Sequence, residues 1–590
     1  QIFSTSHQMK SIPFICSAIF TLAIFNSIQT SAFPMESSNK AAEESFENLL
    51  ADSAKETNNA RAAESGQKEC MKRSFPHNKT QSSSFVCVCN SKFCDEPAPL
   101  EPRVLEDGRT VVYYVTSRDE HRLARQITEF VAPEKLRSTG EEVSDPSTEA
   151  DIIVDASKTF QTIFGFGGAF TDAAGISMHT LSEKCRQNLL RSYFHAESGI
   201  GYTVGRVPIA SCDFSTHEYS YCDQEDDFEL KTFALAPEDL DFKIPFLHAA
   251  TNISGGALKL FASPWSAPGW MKTNGRMKDG ARLKGEVNGK YYDTYAQYFK
   301  KFFEEYHKNG LDFWGLTMQN EPRNETWPWQ TMDLDFTMQR EFAYAKLSPA
   351  LKSSDATKDI KIMGCDDNRG VALQAAKELY ADEEKAKAID GIATHWYDHA
   401  DFASTLGPTH DVRPDKFILA SEACNGDRAW EHMPLLGDWD RGIEYAHDIL
   451  NMLRNWAVGW TDWNLCLDLQ GGPNWAGNYV DAPIIVNKTA DEFYKQPMFY
   501  VMGHFSKFVT RGSVHIDSSF APSSPLKDTI EHVAFVTPTG QRVMVLTNLA
   551  KSNKSIDVII RDAEAAGKTT KIVLGPQSIV TAIWSPTIVR

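Results

Sequence analysis

Positive charge is in deficit: 60 Lys and Arg face 78 Asp and Glu, a formal net charge of -18 over 590 residues. Such a balance leaves no basic footprint for nucleic acid. Long apolar runs are scarce too. One stretch, from Ile12 to Phe25 behind Met9-Lys10, comes near, but its roughly 14 residues fall short of the ~20 that a bilayer span needs. No Gly-x-Gly-x-x-Gly turn follows an early strand with an acidic residue behind it, which argues against a dinucleotide-binding open sheet. The remaining composition, 42% hydrophobic and 23% charged with 35 Gly and 27 Pro, excludes collagen, a coiled coil and wholesale disorder.

The N-terminus reads as address rather than fold. Residues 1–8 precede Met9, and one positive charge, an apolar stretch and the small residues Thr30-Ser31-Ala32 are the parts of a secretory signal peptide. A membrane anchor is the alternative. Residues 1–32 are therefore assigned to leader and signal peptide, and 33–69, rich in Ala, Glu, Ser and Asn, to a disordered leader or pro-segment. Eleven Cys is an odd number, so at least one lies outside any intramolecular pair. Cys70, Cys87, Cys89 and Cys94 crowd a strand-like stretch, 70–98, where two disulfides or a four-Cys zinc site would fit; an oxidising compartment favours disulfides. Sequons at Asn78, Asn252, Asn324, Asn487 and Asn553 agree with a lysosomal or secreted glycoprotein.

Between 156 and 506 one theme repeats: a short apolar strand, polar residues at its exit, then a helical stretch. Eight exits can be counted, at Gly165–Asp172, Arg206-Val-Pro208, Ser263-Pro-Trp265, Gln319-Asn-Glu321, Cys365-Asp-Asp367, His395-Trp-Tyr397, Ser421–Cys424 and Asp462-Trp-Asn464. Eight alternating units can close into a (β/α)₈ barrel, the α/β fold class with active sites at the strand exits. The flanks, 99–155 and 507–590, alternate without helix signals, as in Val543-Met-Val-Leu-Thr547. They are expected to form one β-sandwich from both chain ends.

Two exits carry a Glu directly after an apolar run, Glu321 on the fourth strand and Glu422 on the seventh. Strands so spaced face each other across a barrel mouth, and glycoside hydrolysis needs such a pair: one carboxylic acid protonates the leaving oxygen while a carboxylate attacks or activates water.

At 165–174 (GFGGAFTDAA), 206–214 (RVPIASCDF), 262–274 (ASPWSAPGWMKTN), Asn320-Glu-Pro322, His395-Trp-Tyr397, 420–424 (ASEAC), 458–465 (VGWTDWNL), 471–475 (GGPNW) and 494–508 (YKQPMFYVMGHFSKF) the chain resembles the glycoside hydrolase family that includes the glucosylceramidases. The resemblance runs in family order from about Cys70 to the C-terminus. It implies a retaining mechanism with Glu321 as acid/base and Glu422 as nucleophile. It further implies that Asp213, Trp265, Asn320, Trp463 and Asn478 hold the sugar, that Arg206, His395 and Tyr397 orient the nucleophile, and that the disulfides are Cys70–Cys87 and Cys89–Cys94. No cofactor or metal is implied. The implied substrate is glucosylceramide in anionic-lipid membranes, with peripheral membrane contact and a saposin-type activator protein as candidate partner. Of the 16 His, all but His7 lie beyond Cys70, and most exposed ones would gain charge near pH 5, so the negative excess shrinks in an acidic lumen. Another β-glycosidase of the family, or a silent glycolipid-binding protein on the same fold, remains the alternative. Cys424, two residues past Glu422, is read as a free buried thiol.

Overall fold

The computed structural model describes residues 67–75, 83–136, 149–323, 326–428, 431–522, 524, 526, 529–548 and 554–586. The signal-peptide reading, most of the 33–69 segment, and the sequons at Asn78, Asn324 and Asn553 lie outside these residues.

Eight parallel strands close a barrel: β1 (Gly165–Ala169), β2 (Val204–Ile209), β3 (Lys259–Pro264), β4 (Phe313–Thr317), β5 (Lys361–Asn368), β6 (Gly391–His395), β7 (Phe417–Glu422) and β8 (Ala457–Asn464). Each pairs with the next, and β8 returns to β1 through Gly459↔Gly165. Parallel strands covered on both faces read as unbroken apolar runs, and β2 and β6 are buried throughout. Inside the barrel, Val204, Phe261, Met363, Ala393 and Leu419 form an apolar layer over Phe164, Trp314 and Phe417. Side chains alternate with a period of two along a strand. Two residues on, Val204, Phe261 and Leu419 give way to Arg206, Ser263 and Ser421, so the interior turns from oily to polar toward the strand exits. The outer helices are amphipathic. Lys290–Lys308 buries Tyr292, Tyr295, Phe299, Phe302 and Tyr306, three or four residues apart, and ends in His307 and Lys308, where cations favour the helix C-terminus.

Both chain ends build a nine-stranded sheet, in the order Thr569–Leu574, Ile556–Asp562, Glu149–Thr162, Val514–Phe520, Ile530–Val536, Arg542–Asn548, Ser578–Trp584, Thr110–Ser117 and Ala124–Glu129. An isolated bridge between Val131 and Thr569 joins its two edges, so the sheet wraps around its own core, which includes Ile152, Ile516, Leu546, Val558, Ile572 and Trp584. Glu149–Thr162 enters the barrel and Val514–Phe520 leaves it, and the two pair antiparallel through Thr162↔Val514. The first of them runs seven residues past position 155, where the sequence reading began the barrel.

A third sheet joins Lys72–Ser74 and Phe85–Asn90 to Glu492–Lys495, Ile484–Asn487 and Cys466–Asp468. The N-terminal segment is thus not a unit by itself; it is completed by strands more than 370 positions away. The disulfides Cys70–Cys87 and Cys89–Cys94 hold it and use the thiols a zinc site would need. Residues 67–69, read as leader, are folded: Lys68 and Glu96 exchange two backbone hydrogen bonds of 3.1 Å. Asn487 also departs from expectation as a glycan acceptor. It is buried, its Nδ2 donates to the Tyr494 hydroxyl at 2.9 Å, and its Oδ1 accepts from Ala490 N–H, so no surface remains for a sugar. Asn252 is exposed on the helix Ile244–Ile253.

Candidate functional site

Glu321 follows β4 with φ 45°, a left-handed conformation that an L-residue adopts only when its surroundings hold it there. They do. Its N–H donates to the Asp366 carbonyl at 2.9 Å, and the Asn320 N–H donates to the Pro264 carbonyl at 2.9 Å. Neighbouring strand exits thereby set both residues. Asp366 is itself left-handed, at φ 53°, beside a register shift in the β5–β6 pairing.

Glu422 ends β7. The Arg206 guanidinium donates to Glu422 Oε2 through one nitrogen, and through the other to Asn320 Oδ1 and Asp366 Oδ2, each at 2.9 Å. The Tyr397 hydroxyl donates to Glu422 Oε1 at 2.8 Å. His395, expected to orient the nucleophile, lies against other carboxylates: Nε2 is 3.1 Å from Asp366 Oδ1 and Nδ1 is 3.5 Å from Glu321 Oε1.

Asp366 is the residue the sequence reading missed. Although Cys365-Asp-Asp367 marked a strand exit, its carboxylates received no role. The buried Asp366 side chain binds Arg206 and His395, and accepts from Thr317 at 2.6 Å and Ser421 at 2.7 Å. Burial alone would raise its pKa; Arg206 and His395 outweigh that and hold it below the usual carboxylate range. For His395, burial disfavours the charge, but Glu422, Asp366 and Glu321 prevail and bring the imidazole to about 10, so it remains a cation.

Glu321 is raised above the ordinary value, first by burial and further by the charge of Glu422, against the opposing pull of His395. Asp213 is raised to about 7, again by burial first, with Glu422 and Glu321 adding to it and the hydrogen bond from Asn478 opposing. That bond, Asn478 Nδ2 to Asp213 Oδ2, is 2.9 Å. It depends on a loop fixed by Asn474, whose Oδ1 accepts from the N–H groups of Ala476 and Asn478. Trp265 and Trp463 stack with ring centres 5.1 Å apart.

Asp213, Trp265, Asn320, Glu321, Tyr397, Glu422, Trp463 and Asn478 line one cavity of about 520 Å³, shared with Trp327, Pro328, Trp329, Asn368, Asp427 and His432. Trp327 and Trp329 received no role in the sequence reading. Their signal was two indoles in the exit loop of the strand that carries Glu321. Cys424 lines the same wall with its Sγ 3.4 Å from the Tyr397 hydroxyl. Burial first, then Asp427, drives its thiol far above the ordinary value, which rules out a thiolate nucleophile. Cys185, Cys212, Cys222, Cys365, Cys424 and Cys466 are all free and buried. Among the described residues the one His/Cys/Asp/Glu group spaced to hold a metal ion is Cys89, Cys94 and Asp95, and its two sulfurs are joined to each other. The cavity therefore offers two carboxylates in unlike surroundings, Asp and Asn side chains able to hydrogen-bond a ligand, and indole faces.

Comparison with known proteins gives this geometry a family. Residues 163–509 match the glycosyl hydrolase family 30 TIM-barrel domain and 512–582 its beta sandwich domain. A Caenorhabditis elegans protein named putative glucosylceramidase 3 is 46% identical over 513 residues, 86% of this chain and 94% of its own. The lysosomal acid glucosylceramidase of Mus musculus is 40% identical over 526 residues, 88% of this chain and 96% of its own. Among solved structures, SrfJ from Salmonella typhimurium superposes with a TM-score of 0.71 at 29% identity, covering 81% of this chain and 99% of that one.

Proposed function

The chain belongs to glycosyl hydrolase family 30, and from that premise we propose that it is a retaining β-glucosidase that splits glucosylceramide into glucose and ceramide. The observation that carries the reading is the placement of Glu321 and Glu422 at the exits of β4 and β7, in one cavity but in different environments. Relatives with the printed name glucosylceramidase supply the substrate.

Glu422, steadied by Arg206 and Tyr397, attacks the anomeric carbon as the bond to the ceramide oxygen breaks. Glu321 gives its proton to that oxygen. A raised pKa suits Glu321 to this task, because an acid must still hold its proton when the substrate arrives. Once the glycosyl–Glu422 ester exists, the charge that added to burial in raising Glu321 is gone. Glu321 then takes a proton from water, whose oxygen attacks the anomeric carbon and returns Glu422 as carboxylate. Arg206, fixed by Asp366, supplies a cation beside Glu422 as its charge leaves and returns. Asn320, oriented by that same guanidinium, is placed to meet the sugar 2-hydroxyl. Asp213 and Asn478 read further hydroxyls, and Trp265 and Trp463 present apolar faces to the ring.

The reading extends to compartment and partners: a lysosomal lumen, peripheral contact with anionic membranes, and a saposin-type activator. It rests on the acid-favouring Glu321, the disulfides and the mouse lysosomal relative. No helix among the described residues is long and apolar enough to cross a membrane. The test uses purified protein on glucosylceramide in anionic vesicles at acidic pH. Wild type releases ceramide; Glu422→Gln loses turnover by about 10⁴-fold or more, and azide restores cleavage of an activated glucoside as the inverted glycosyl azide. Cleavage of galactosides or xylosides alone would refute the substrate, and undiminished turnover in Glu422→Gln would refute the nucleophile.

A further inference from the structure

Outside the cavity, behind the turn that carries Asp213, a cation is sealed in the protein. Lys243 ends the helical segment Glu238–Lys243 after β2. Its ammonium lies 3.1 Å from Asp172 Oδ1 and 3.0 Å from Asp239 Oδ1, and all three side chains are buried. Burial disfavours the charge on Lys243, but Asp172 and Asp239 prevail and raise its pKa, so it remains an ammonium.

Both carboxylates reach the end of β2. Asp239 Oδ1 accepts from the hydroxyls of Tyr221, at 2.9 Å, and Tyr306, at 2.6 Å. The Tyr221 hydroxyl accepts from Ala210 N–H at 2.9 Å, where the chain leaves β2 with a left-handed φ of 64°. Asp172 opens the helix Asp172–His179 behind β1. Its Oδ2 accepts from Ser215 Oγ at 2.5 Å and from the Tyr219 hydroxyl at 2.9 Å. With its proton committed to Asp172, Ser215 Oγ is left as an acceptor, and Cys212 N–H donates to it at 3.1 Å.

These contacts converge on one turn. Ser215 N–H donates to the Cys212 carbonyl at 3.2 Å, closing four residues of which Asp213 is the second. Ala173 N–H donates to the Phe214 carbonyl at 2.9 Å, and Trp475 N–H to the Ser215 carbonyl at 3.1 Å. Trp475 Nε1 donates to the Cys212 carbonyl at 2.9 Å. The turn is therefore pinned on one side to the exit of β1 and on the other to the loop that carries Asn478. A buried ion group is weak evidence for stability, since apolar residues of similar volume often serve as well. Here its hydrogen bonds lead to the backbone on both sides of Asp213.

We propose that Lys243, Asp172 and Ser215 are positioning residues, which hold the Cys212–Ser215 turn so that the Asp213 carboxyl meets one glucose hydroxyl. The inference rests on the β-glucosidase reading and deepens it. None of the three lines the cavity. Lys243 acts through Asp172, Asp172 through Ser215, and Ser215 through the turn. Breaking a link is therefore felt at that hydroxyl and not at the bond that is cleaved.

The experiment measures kcat/KM on nitrophenyl β-glucoside and on its 3-, 4- and 6-deoxy analogues. Asp213→Ala identifies the hydroxyl, because its loss is smallest on the analogue that lacks it. Ser215→Ala is then expected to lose about tenfold on the parent and on the other two analogues, close to one hydrogen bond to a charged group, but less than about twofold on the identified one. Asp172→Asn follows the same pattern. In an Asp213→Ala background, Ser215→Ala costs less than about twofold on the parent, because coupled groups are not additive. Lys243→Met strands two buried carboxylates and is expected to cost soluble protein; Ser215→Ala and Asp172→Asn leave Lys243 paired with Asp239 and decide the matter. An equal loss on all four substrates overturns the proposal, and so does full additivity with Asp213→Ala or no loss at all. A wild type that cleaves none of the four refutes the β-glucosidase reading, and the proposal falls with it.

Discussion

Asp213 is under two opposed demands. In its proposed role toward a sugar hydroxyl it is kept dry, and dryness near two other carboxylates raises its pKa to about 7. The sign of the consequence follows from linkage. An acid with a folded pKa above its unfolded value costs stability as it ionises: nothing below about pH 4, more from there to 7, and the full amount above. Asp213→Asn removes that cost while keeping an acceptor for Asn478. The variant is therefore expected to melt higher than wild type at pH 8, with a smaller gain at pH 5, while kcat/KM at pH 8 falls about 10- to 100-fold from the lost charged hydrogen bond. Thermal melts at the two pH values, with kinetics, check both halves. At this scale the sequence was legible where a residue's type announced its chemistry. Glu321 and Glu422 could be named from their place behind apolar runs, while Asp213, Trp265, Asn320, Trp463 and Asn478 came from the family resemblance; the structure brings those five to one cavity. Asp366 was not legible, since nothing in Cys365-Asp-Asp367 says which carboxylate turns inward. That is decided by the left-handed backbone at Cys365 and Asp366, φ 71° and 53°. Nor could sequence reveal that Asn487 faces Tyr494.

The barrel strands were legible as elements because each ends by exchanging buried apolar residues for polar ones, a change visible in the string. Their close approach is less visible and depends on particular glycines. A Cβ on Gly167 of β1 would stand 1.7 Å from the Val204 carbonyl oxygen of β2, and no side-chain movement relieves a clash with backbone. Gly167→Ala is expected to cost more than about 4 kcal/mol, seen as a fall in Tm of about 5 °C or more or loss of soluble protein. Near-native stability would show that β1 can shift. The third sheet could not have been read in advance. Phe85–Asn90 looks strand-like alone, but its partner Glu492–Lys495 is four residues long and carries no mark that distinguishes it from other short apolar runs. Pairing over such a distance is a property of the folded barrel that brings the two together.

For the molecule as a whole, the histidines divide into groups of opposite sign. Burial lowers His515 to about 4, and His504 and His532 to about 3, so these three weaken the fold as pH drops below about 6.5. His395, raised to about 10, and His447, raised mainly by its bond to Glu531, contribute stability that is complete below pH 6.5. It is lost as pH rises through each folded pKa. His447 lies on the barrel helix Trp439–Arg454, and Glu531 on the sheet strand Ile530–Val536, with 2.8 Å between them. Glu531→Gln is thus expected to lower Tm by about 1–2 °C at pH 5 and by less at pH 8; the reverse order would remove His447 from the account. The contact spans two regions whose covalent crossings, after Thr162 and before Val514, lie side by side. Because Thr162 pairs with Val514, the whole barrel, about 350 residues, is the loop of a β-hairpin. Closing a loop of that length costs about 3 kcal/mol more than closing one of ten. The two strands at its neck therefore gain little from meeting until the barrel has shortened the path between them. Folding order follows from this: the barrel forms first, and the sheet, although it holds the earlier strands of the chain, is completed last.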